Sequence, residues 1–218
     1  MNLISIAIDG PAGAGKSTIA KRIAEIMNLL YIDTGAMYRA ITLKLLNKNI
    51  SFADKKMIEK ILKNTKIQFI NNCIFLDGIN VNEEIRKPMI NENVSKIAAL
   101  PFVRERLVKL QRDIAKNNNV IMDGRDIGTR VLPDAKYKFF LTASINERAK
   151  RRFMELKEKG YDYSYDEIVK EITNRDKMDS ERAFDPLKKA EDAILIDTTG
   201  KDIDEVINII LSKIRKIN

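Results

Sequence analysis

The sequence predicts an α/β fold: a parallel five-stranded sheet flanked by helices, with a small inserted antiparallel β subdomain and a short helical lid. Three observations lead there. Residues 4–27 read as a buried strand, a glycine-rich turn and an amphipathic helix. Four further strands of buried type alternate with helices along the rest of the chain, the pattern of a doubly wound parallel sheet. Between about residues 64 and 90 the texture changes to short strands and tight turns, which is foreign to that alternation.

Ile4 to Ile8 is a run of β-branched and apolar residues, and Ile19, Ala20, Ile23, Ala24 and Met27 then fall on one helical face. Between them Gly10, Pro11, Ala12, Gly13, Ala14, Gly15, Lys16 and Ser17 fit G-x-x-x-x-G-K-[ST], the P-loop, so the sheet is P-loop NTPase-like. The glycines let successive N–H groups turn inward as an anion nest at the positive end of the helix. Lys16 is placed to reach the β- and γ-phosphates of ATP, the Ser17 hydroxyl to hold Mg²⁺, and Thr18 to complete the donor site. Leu29–Ile32 reads as the second strand, followed by a helix to about Asn47 and another over Ala53–Lys63. Lys66–Ile70, Cys73–Leu76 and Ile79–Asn82 form the β-rich insert, with turns at Asn71-Asn72 and Asp77-Gly78. A helical stretch from about 91 to 116, broken at Pro101, leads to a strand at Val120–Met122. Tyr137–Thr142 is the next strand, then a basic helix over Asn146–Lys159 and another from Tyr165 to at least Met178. Ala193–Ile196 is the last strand, and Ile203–Ile217 a closing amphipathic helix. The resulting division is a core of 1–63 and 91–218, an insert at about 64–90 and a lid at about 148–165.

Length and composition narrow the chemistry. With 218 residues there is enough chain for one substantial core. No apolar run approaches 18 residues and the first strand begins close to Met1, so neither a membrane span nor a leader is expected. Cys73 is the only cysteine and reads as a small core residue, which suits the cytoplasm. Histidine is absent, which removes Ser-His-Asp catalysis and histidine metal sites. Carboxylates, Arg, Lys and Mg²⁺ remain, the toolkit of phosphoryl transfer. Lys and Arg total 39 against 31 acids, a net charge of +8 that suits a nucleic acid or a small polyanion. Lys55, Lys56, Lys60 and Lys63 read as a solvated face, and 6% aromatic content is thin for a stacking surface.

The remaining signals are arginines and acids. Asp123 closes a hydrophobic strand, either as a turn former or as an acid behind Mg²⁺. Thr34 and Arg39 follow the second strand, where parallel sheets bind ligands, although Arg39 also fits a surface helix. Arg148, Arg151 and Arg152 share a helical face on which three guanidinium groups repel one another unless a polyanion enters; the alternative is a solvated or nucleic-acid-binding helix. Arg175, Asp179 and Arg182 form one stripe if their helix continues past Met178, whether for a ligand or for solvent.

Taken together, IDGPAGAGKST, DTGAMYR, VSKIAALPFVRERL, MDGRDIGT, ERAKRRF and RDKMDSERAFDPL make the chain resemble bacterial cytidylate kinases nearly end to end. These are the (d)CMP kinases among the nucleoside monophosphate kinases. The resemblance implies transfer of the γ-phosphoryl group of ATP to CMP or dCMP with Mg²⁺, in a cytoplasmic monomer with no nucleic-acid or membrane partner. It implies an acceptor-phosphate clamp of Arg39, Arg125 and Arg182, cytosine readers Ser95, Arg104 and Asp126, and ribose contacts from Arg175 and Asp179. Thr34 takes the place of the family's small hydroxyl residue near the acceptor. Arg148, Arg151 and Arg152 resemble lid arginines that close over the transferring group, with Arg148 and Arg151 joining Lys16, Arg125 and Arg182 in catalysis and Arg152 on the donor. Ser17 stands where some relatives have Gly, and it fits the P-loop pattern better. Two rivals stay open: a P-loop kinase for another small acceptor, such as UMP or an alcohol, and a nucleic-acid-binding P-loop protein.

Overall fold

The computed structural model describes residues 3–70 and 72–217. Strand β1 (Ser5–Asp9) runs straight into the glycine loop and α1 (Lys16–Met27), followed by β2 (Leu30–Asp33), α2 (Thr34–Asn47) and α3 (Lys55–Lys63). The insert supplies β3 (Ile67–Ile70), β4 (Cys73–Leu76) and β5 (Ile79–Asn80). A 3₁₀ turn at Glu84–Arg86 leads to α4 (Pro88–Ala98) and α5 (Pro101–Ala115). Then come β6 (Val120–Gly124), a π-helical turn at Ile127–Val131, β7 (Tyr137–Thr142), α6 (Ile145–Glu158), α7 (Tyr165–Glu181), β8 (Ile194–Asp197) and α8 (Ile203–Ile217).

The main sheet has the order β2-β6-β1-β7-β8 and every pairing in it is parallel. Ile6, Ala7 and Ile8 of β1 are fully buried, as a central strand covered on both faces requires. On one face α1 and α8 pack Ile19, Ile23, Val206 and Ile210 against Ile8, Ile121 and Phe139. On the other, Met37 and Ile41 of α2 and Val103 and Leu107 of α5 join Ile32, Val120 and Met122. Strand β1 lies between β6 and β7: the chain first winds outward from β1 to β2 on one side and later crosses from β6 to β7 and β8 on the other, and a crevice opens at its carboxyl end. The register places Asp123 beside both Ile8 and Asp33, and Gly124 beside Asp9. Three acids from three strands therefore meet at the edge where the glycine loop begins.

The insert is a three-stranded antiparallel sheet in the order β3-β4-β5. Its buried Ile67, Ile74 and Leu76 belong to the same apolar cluster as α2, so the insert is pinned to the core. The Lys44 ammonium on α2 adds a bond to Asp77 in the β4–β5 turn. Helices α6 and α7 pack through Ala149, Leu156, Ile168 and Ile172, a satellite cluster of their own. A reciprocal cap between Ser164 and Glu167 starts α7.

Several expectations need correction. The last insert strand stops at Asn80, whereas Asn82 turns its side chain onto the Ile74 N–H. Asn71 lies outside the described residues. Cys73 is half-buried at the start of β4 rather than in the core. The long helical region begins at Pro88, and each of its helices has proline in the first turn, where the missing N–H costs nothing. Helix α7 ends at Glu181, and Arg182 adopts an extended ψ of 137°. The Arg175–Asp179–Arg182 stripe thus loses its last member to the following loop.

Gly10 joins the sheet to the loop at φ +147°, and a Cβ there would stand 2.0 Å from the Leu141 carbonyl oxygen of β7. Backbone faces backbone, so no side chain can move aside. Gly10→Ala should destabilise the protein by about 3 kcal/mol or more. That corresponds to a Tm drop of roughly 6–12 °C for a chain of this size, measurable by thermal denaturation.

Candidate active site

At the end of β1, Gly13 and Gly15 take φ of +76° and +83°, curling the loop around the N-terminus of α1. The unpaired N–H groups of that first turn face whatever occupies the loop. Lys16 is buried, and its ammonium donates to the Pro11 carbonyl at 2.6 Å, folded across its own loop. Burial, reinforced by Arg125, pushes it well below the ordinary lysine range.

Asp123 is the hub beneath Lys16. The Ser17 hydroxyl donates to its Oδ2 at 2.8 Å and the Tyr31 hydroxyl to its Oδ1 at 2.9 Å. Thr34 Oγ1 donates to its main-chain carbonyl at 2.7 Å. Burial and then the nearby Asp33 raise Asp123 to about 6, against the pull of Lys16. Among the described residues no three carboxylate, cysteine or histidine side chains gather into a metal cage. The protein offers instead one hydroxyl backed by an oriented carboxylate. That donor set fits Mg²⁺, which retains waters and takes phosphate oxygens rather than an all-protein shell.

The far wall is a set of arginines, most of them paired with an acid. Arg39 donates from Nη2 to Asp33 Oδ2 at 3.0 Å, and Arg125 from Nε to Asp179 Oδ2 at 2.7 Å. Arg104, only 1% exposed, donates from Nη2 to Asp126 and from Nη1 to the Ala98 carbonyl at 3.1 Å, and lies over the Tyr38 ring. Burial alone would lower Arg104, but Tyr38 and Asp126 outweigh it and hold the group above its ordinary range. Burial and then Arg125 push Arg175 down to about 10. For Asp179 burial is outweighed by Arg125 and Arg175, which keep it below the usual carboxylate range. Among the described residues, Arg39 Nε, Arg175 Nε and Arg182 Nη2 on this wall are buried without a hydrogen-bond acceptor, the last standing 3.6 Å from Asp126 Oδ1.

The α6 arginines differ from the expectation of three mutually repelling charges, because each has its own acceptors. Arg148 is buried under the loop, where Nη1 reaches the Ala12 carbonyl (3.1 Å) and Asp176 (2.6 Å). Arg151 pairs with Glu147 at 2.9 Å and with the Thr198 carbonyl at 2.7 Å. Arg152 pairs with Glu155 at 2.9 Å. Divergent partners relieve the repulsion that helical spacing alone implied.

These parts enclose a cleft of about 420 Å³. It is lined by Ala12, Gly13, Gly15, Lys16, Ser17 and Thr18 of the loop and by Thr34, Arg39, Ser95, Arg104, Arg125 and Asp126. Asp123, Arg151, Arg152, Arg175, Asp179 and Arg182 complete the expected residues on its walls. Gly10, Pro11, Ala14 and Arg148 lie outside the lining. Sequence reading did not single out Asp9, Tyr31 or Asp33 as site residues, nor Arg86, which adds another guanidinium to the wall. Asp9 accepts from the Ile127 and Gly128 N–H groups, each at 2.7 Å, and so ties the P-loop strand to the π-turn after Asp126. The available signal for Asp9 and Asp33 was an acid closing a buried strand beside a P-loop.

A glycine loop at a helix N-terminus, a Ser17–Asp123 pair that fits Mg²⁺ and an arginine wall on a parallel sheet are the parts that a P-loop kinase requires. A solved structure of an uncharacterized protein from Eubacterium ventriosum has the same fold, with a TM-score of 0.56 at 17% identity over 99% of both chains. The cytidylate kinase family model matches residues 6–216. A relative named cytidylate kinase from Alkaliphilus oremlandii is 57% identical over 217 residues, all of both chains. Relatives of the same name from Caldanaerobacter subterraneus (55%, 98% of this chain and 95% of that one) and Fusobacterium nucleatum (54%, all of both) agree. The chain belongs to the cytidylate kinase family.

Burial raises Asp9 to about 7 from an ordinary value of 3.8, so between those limits the folded state binds more protons than the unfolded one. Its contribution to stability therefore falls as pH rises through that window. Asp9→Asn removes the titration and turns an amide N–H₂ toward one of the two backbone donors. Wild type should melt above Asp9→Asn, and the gap should narrow from pH 5 to pH 8 in paired thermal scans.

Proposed function

We propose that this cleft transfers the γ-phosphoryl group of ATP to CMP or dCMP, giving ADP and CDP or dCDP. The observation that carries the reading is the arginine wall facing the P-loop. Arg39, Arg175 and Arg182 line it, and each keeps a buried N–H without a partner. Buried donors of this kind call for an anion. An acceptor that already bears phosphate fits them, whereas a plain alcohol leaves them unsatisfied. An enclosed cleft also suits a mononucleotide better than a polymer, and no aromatic stacking platform accompanies the basic residues.

The base follows from Arg104 and Asp126. A guanidinium has five N–H donors, and three of Arg104's are engaged by Asp185, Ala98 and Asp126. One N–H on each Nη is left, a parallel pair suited to cytosine O2 and N3. Asp126 then accepts from the cytosine amino group. Uracil presents N3–H to the guanidinium and O4 to the carboxylate, so both contacts turn repulsive. Ser95 adds a hydroxyl at the same wall, and Arg175 with Asp179 addresses the ribose.

Catalysis is alignment and charge neutralisation on a loose transition state. An arriving donor phosphate replaces the Pro11 carbonyl as the partner of Lys16, which then follows the β- and γ-oxygens. Arg39, Arg125 and Arg182 hold the acceptor phosphate with its oxygen in line. Arg151 and Arg152 close on the transferring group, while Arg148 anchors the Ala12 carbonyl and braces the loop from below. Mg²⁺, held through Ser17 with Asp123 behind it, supplies countercharge to the β- and γ-phosphates. The acceptor oxygen is largely ionised at neutral pH, with a second phosphate pKa near 6, so no side chain need act as base. Closure of the insert (about 64–90) and the lid (about 148–165) excludes water that would otherwise consume ATP. We assign the enzyme to the cytoplasm as a monomer.

A coupled ADP-release assay with ATP–Mg²⁺ and CMP, dCMP, UMP, AMP or GMP tests the reading. Turnover should require CMP or dCMP, and acceptor-independent release would overturn it. Lys16→Met should lose turnover by about 10³-fold or more with an unchanged circular dichroism spectrum. Asp126→Asn should cut the CMP-over-UMP preference by about 10²-fold or more, since an amide N–H₂ can face uracil O4.

A further inference from the structure

Asp185 is absent from every role assigned above, yet it touches the acceptor site from three sides. Its carboxylate Oδ2 lies 3.4 Å from Arg104 Nε and 3.5 Å from Arg130 Nε. Its main-chain carbonyl accepts from Arg182 Nε. Arg130 belongs to the π-turn that follows Asp126, and its guanidinium also covers the Phe184 ring at 5.7 Å. One residue thus joins the base reader on α5, the turn carrying its partner acid, and the phosphate clamp after α7.

The backbone at Asp185 is itself unusual. It has φ +49° and precedes Pro186, a combination disfavoured for an L residue on both counts. Such a conformation persists only where surrounding contacts hold it. The contacts here are the two arginines on its side chain and the third on its carbonyl.

The consequence lies in how Arg104 meets Asp126. Arginine and carboxylate prefer a bidentate fork, in which two N–H groups engage both oxygens. A fork between Arg104 and Asp126 would turn both carboxylate oxygens toward the guanidinium and leave neither unshared for an incoming base. With Asp185 on Nε, Arg104 gives Asp126 only its Nη2, directed at Oδ2. Among the described residues no hydrogen bond reaches Oδ1 of Asp126; Arg182 Nη2 stands 3.6 Å from it, beyond hydrogen-bond range. We infer that Asp185 is a specificity-setting positioning residue: it holds Arg104 off the bidentate fork and so keeps an Asp126 oxygen free to read the amino group of the acceptor base. The inference rests on the cytosine-reading role proposed for Arg104 and Asp126.

Three variants separate the carboxylate from the backbone. Asp185→Gly removes the carboxylate while easing the positive φ. Asp185→Asn tolerates that φ and keeps one acceptor oxygen without charge. Asp185→Ala loses the carboxylate and keeps the strain. The kcat/KM ratio for CMP over UMP should fall about tenfold in the Gly variant, the size of one lost hydrogen bond to a charged group. It should fall less in the Asn variant, with the KM for ATP unchanged in both and CMP losing mainly through KM. The Ala variant should match Gly in this ratio and melt lower. A wild-type ratio in folded Gly and Asn variants would overturn the inference alone, and should Gly fail to fold, the Asn ratio decides by the same criterion. A wild-type enzyme with no preference for CMP over UMP would overturn the base-reading assignment, and this inference with it.

Discussion

Guanidinium groups crowded into a water-poor cleft repel one another and lose hydration, so they persist only where acids are interleaved among them. That constraint governs this molecule. Asp33 stands against Arg39, Asp126 against Arg104, Asp179 against Arg125 and Asp176 against Arg148. Each pairing uses only part of the arginine's fork, and Arg39, Arg175 and Arg182 keep buried nitrogens without an acceptor among the described residues, so the wall is not a closed salt lattice. The pairs therefore orient the arginines at least as much as they stabilise the fold. The downward shift of Arg175 and Arg182, caused by burial and by neighbouring arginines, marks an excess of positive charge that a phosphate relieves.

The sheet places the acids that make this possible. Because β1, β2 and β6 are parallel and in register, their carboxyl ends bring Asp9, Asp33 and Asp123 together at the mouth of the glycine loop. Asp123 accepts from Ser17 of the glycine loop through its carboxylate and from Thr34 of α2 through its main-chain carbonyl. Asp9 reaches past it to fix the π-turn beneath Asp126. The glycine loop and the turn that follows Asp126 thus hang on adjacent strands of one sheet, and their separation is set by strand spacing.

Around this frame the parts differ in how firmly they are tied. The insert shares the apolar cluster of α2, whereas α6 and α7 rely on a small cluster of their own together with polar links to the loop. Few apolar contacts and many ion pairs describe a segment that can reorient when charge arrives. Arg151 and Arg152 of α6 are bound to Glu147, Glu155 and Thr198, whereas Arg148 is tied to the loop itself.

The sequence by itself determined the sheet and the loop, and it named many of the residues that line the cleft. Buried-type strands alternating with amphipathic helices are local patterns, and the P-loop is a contiguous string whose geometry its own glycines dictate. The strand at Tyr137–Thr142 and the helix at Ile203–Ile217 fall on the very residues expected, and the other core elements within a few positions. Only the tertiary structure decided how the arginines are used. Spacing put Arg148, Arg151 and Arg152 on one face, but Arg148 finds Asp176 and the loop carbonyl of Ala12, and Arg151 finds Thr198, all distant in the chain. The π-turn after Asp126 has no periodic signature, and Asp9 and Asp185 act through backbone groups and partners more than 50 residues away. Local patterns encode which elements form, whereas the pairing of buried charges depends on which strands and helices come to lie side by side.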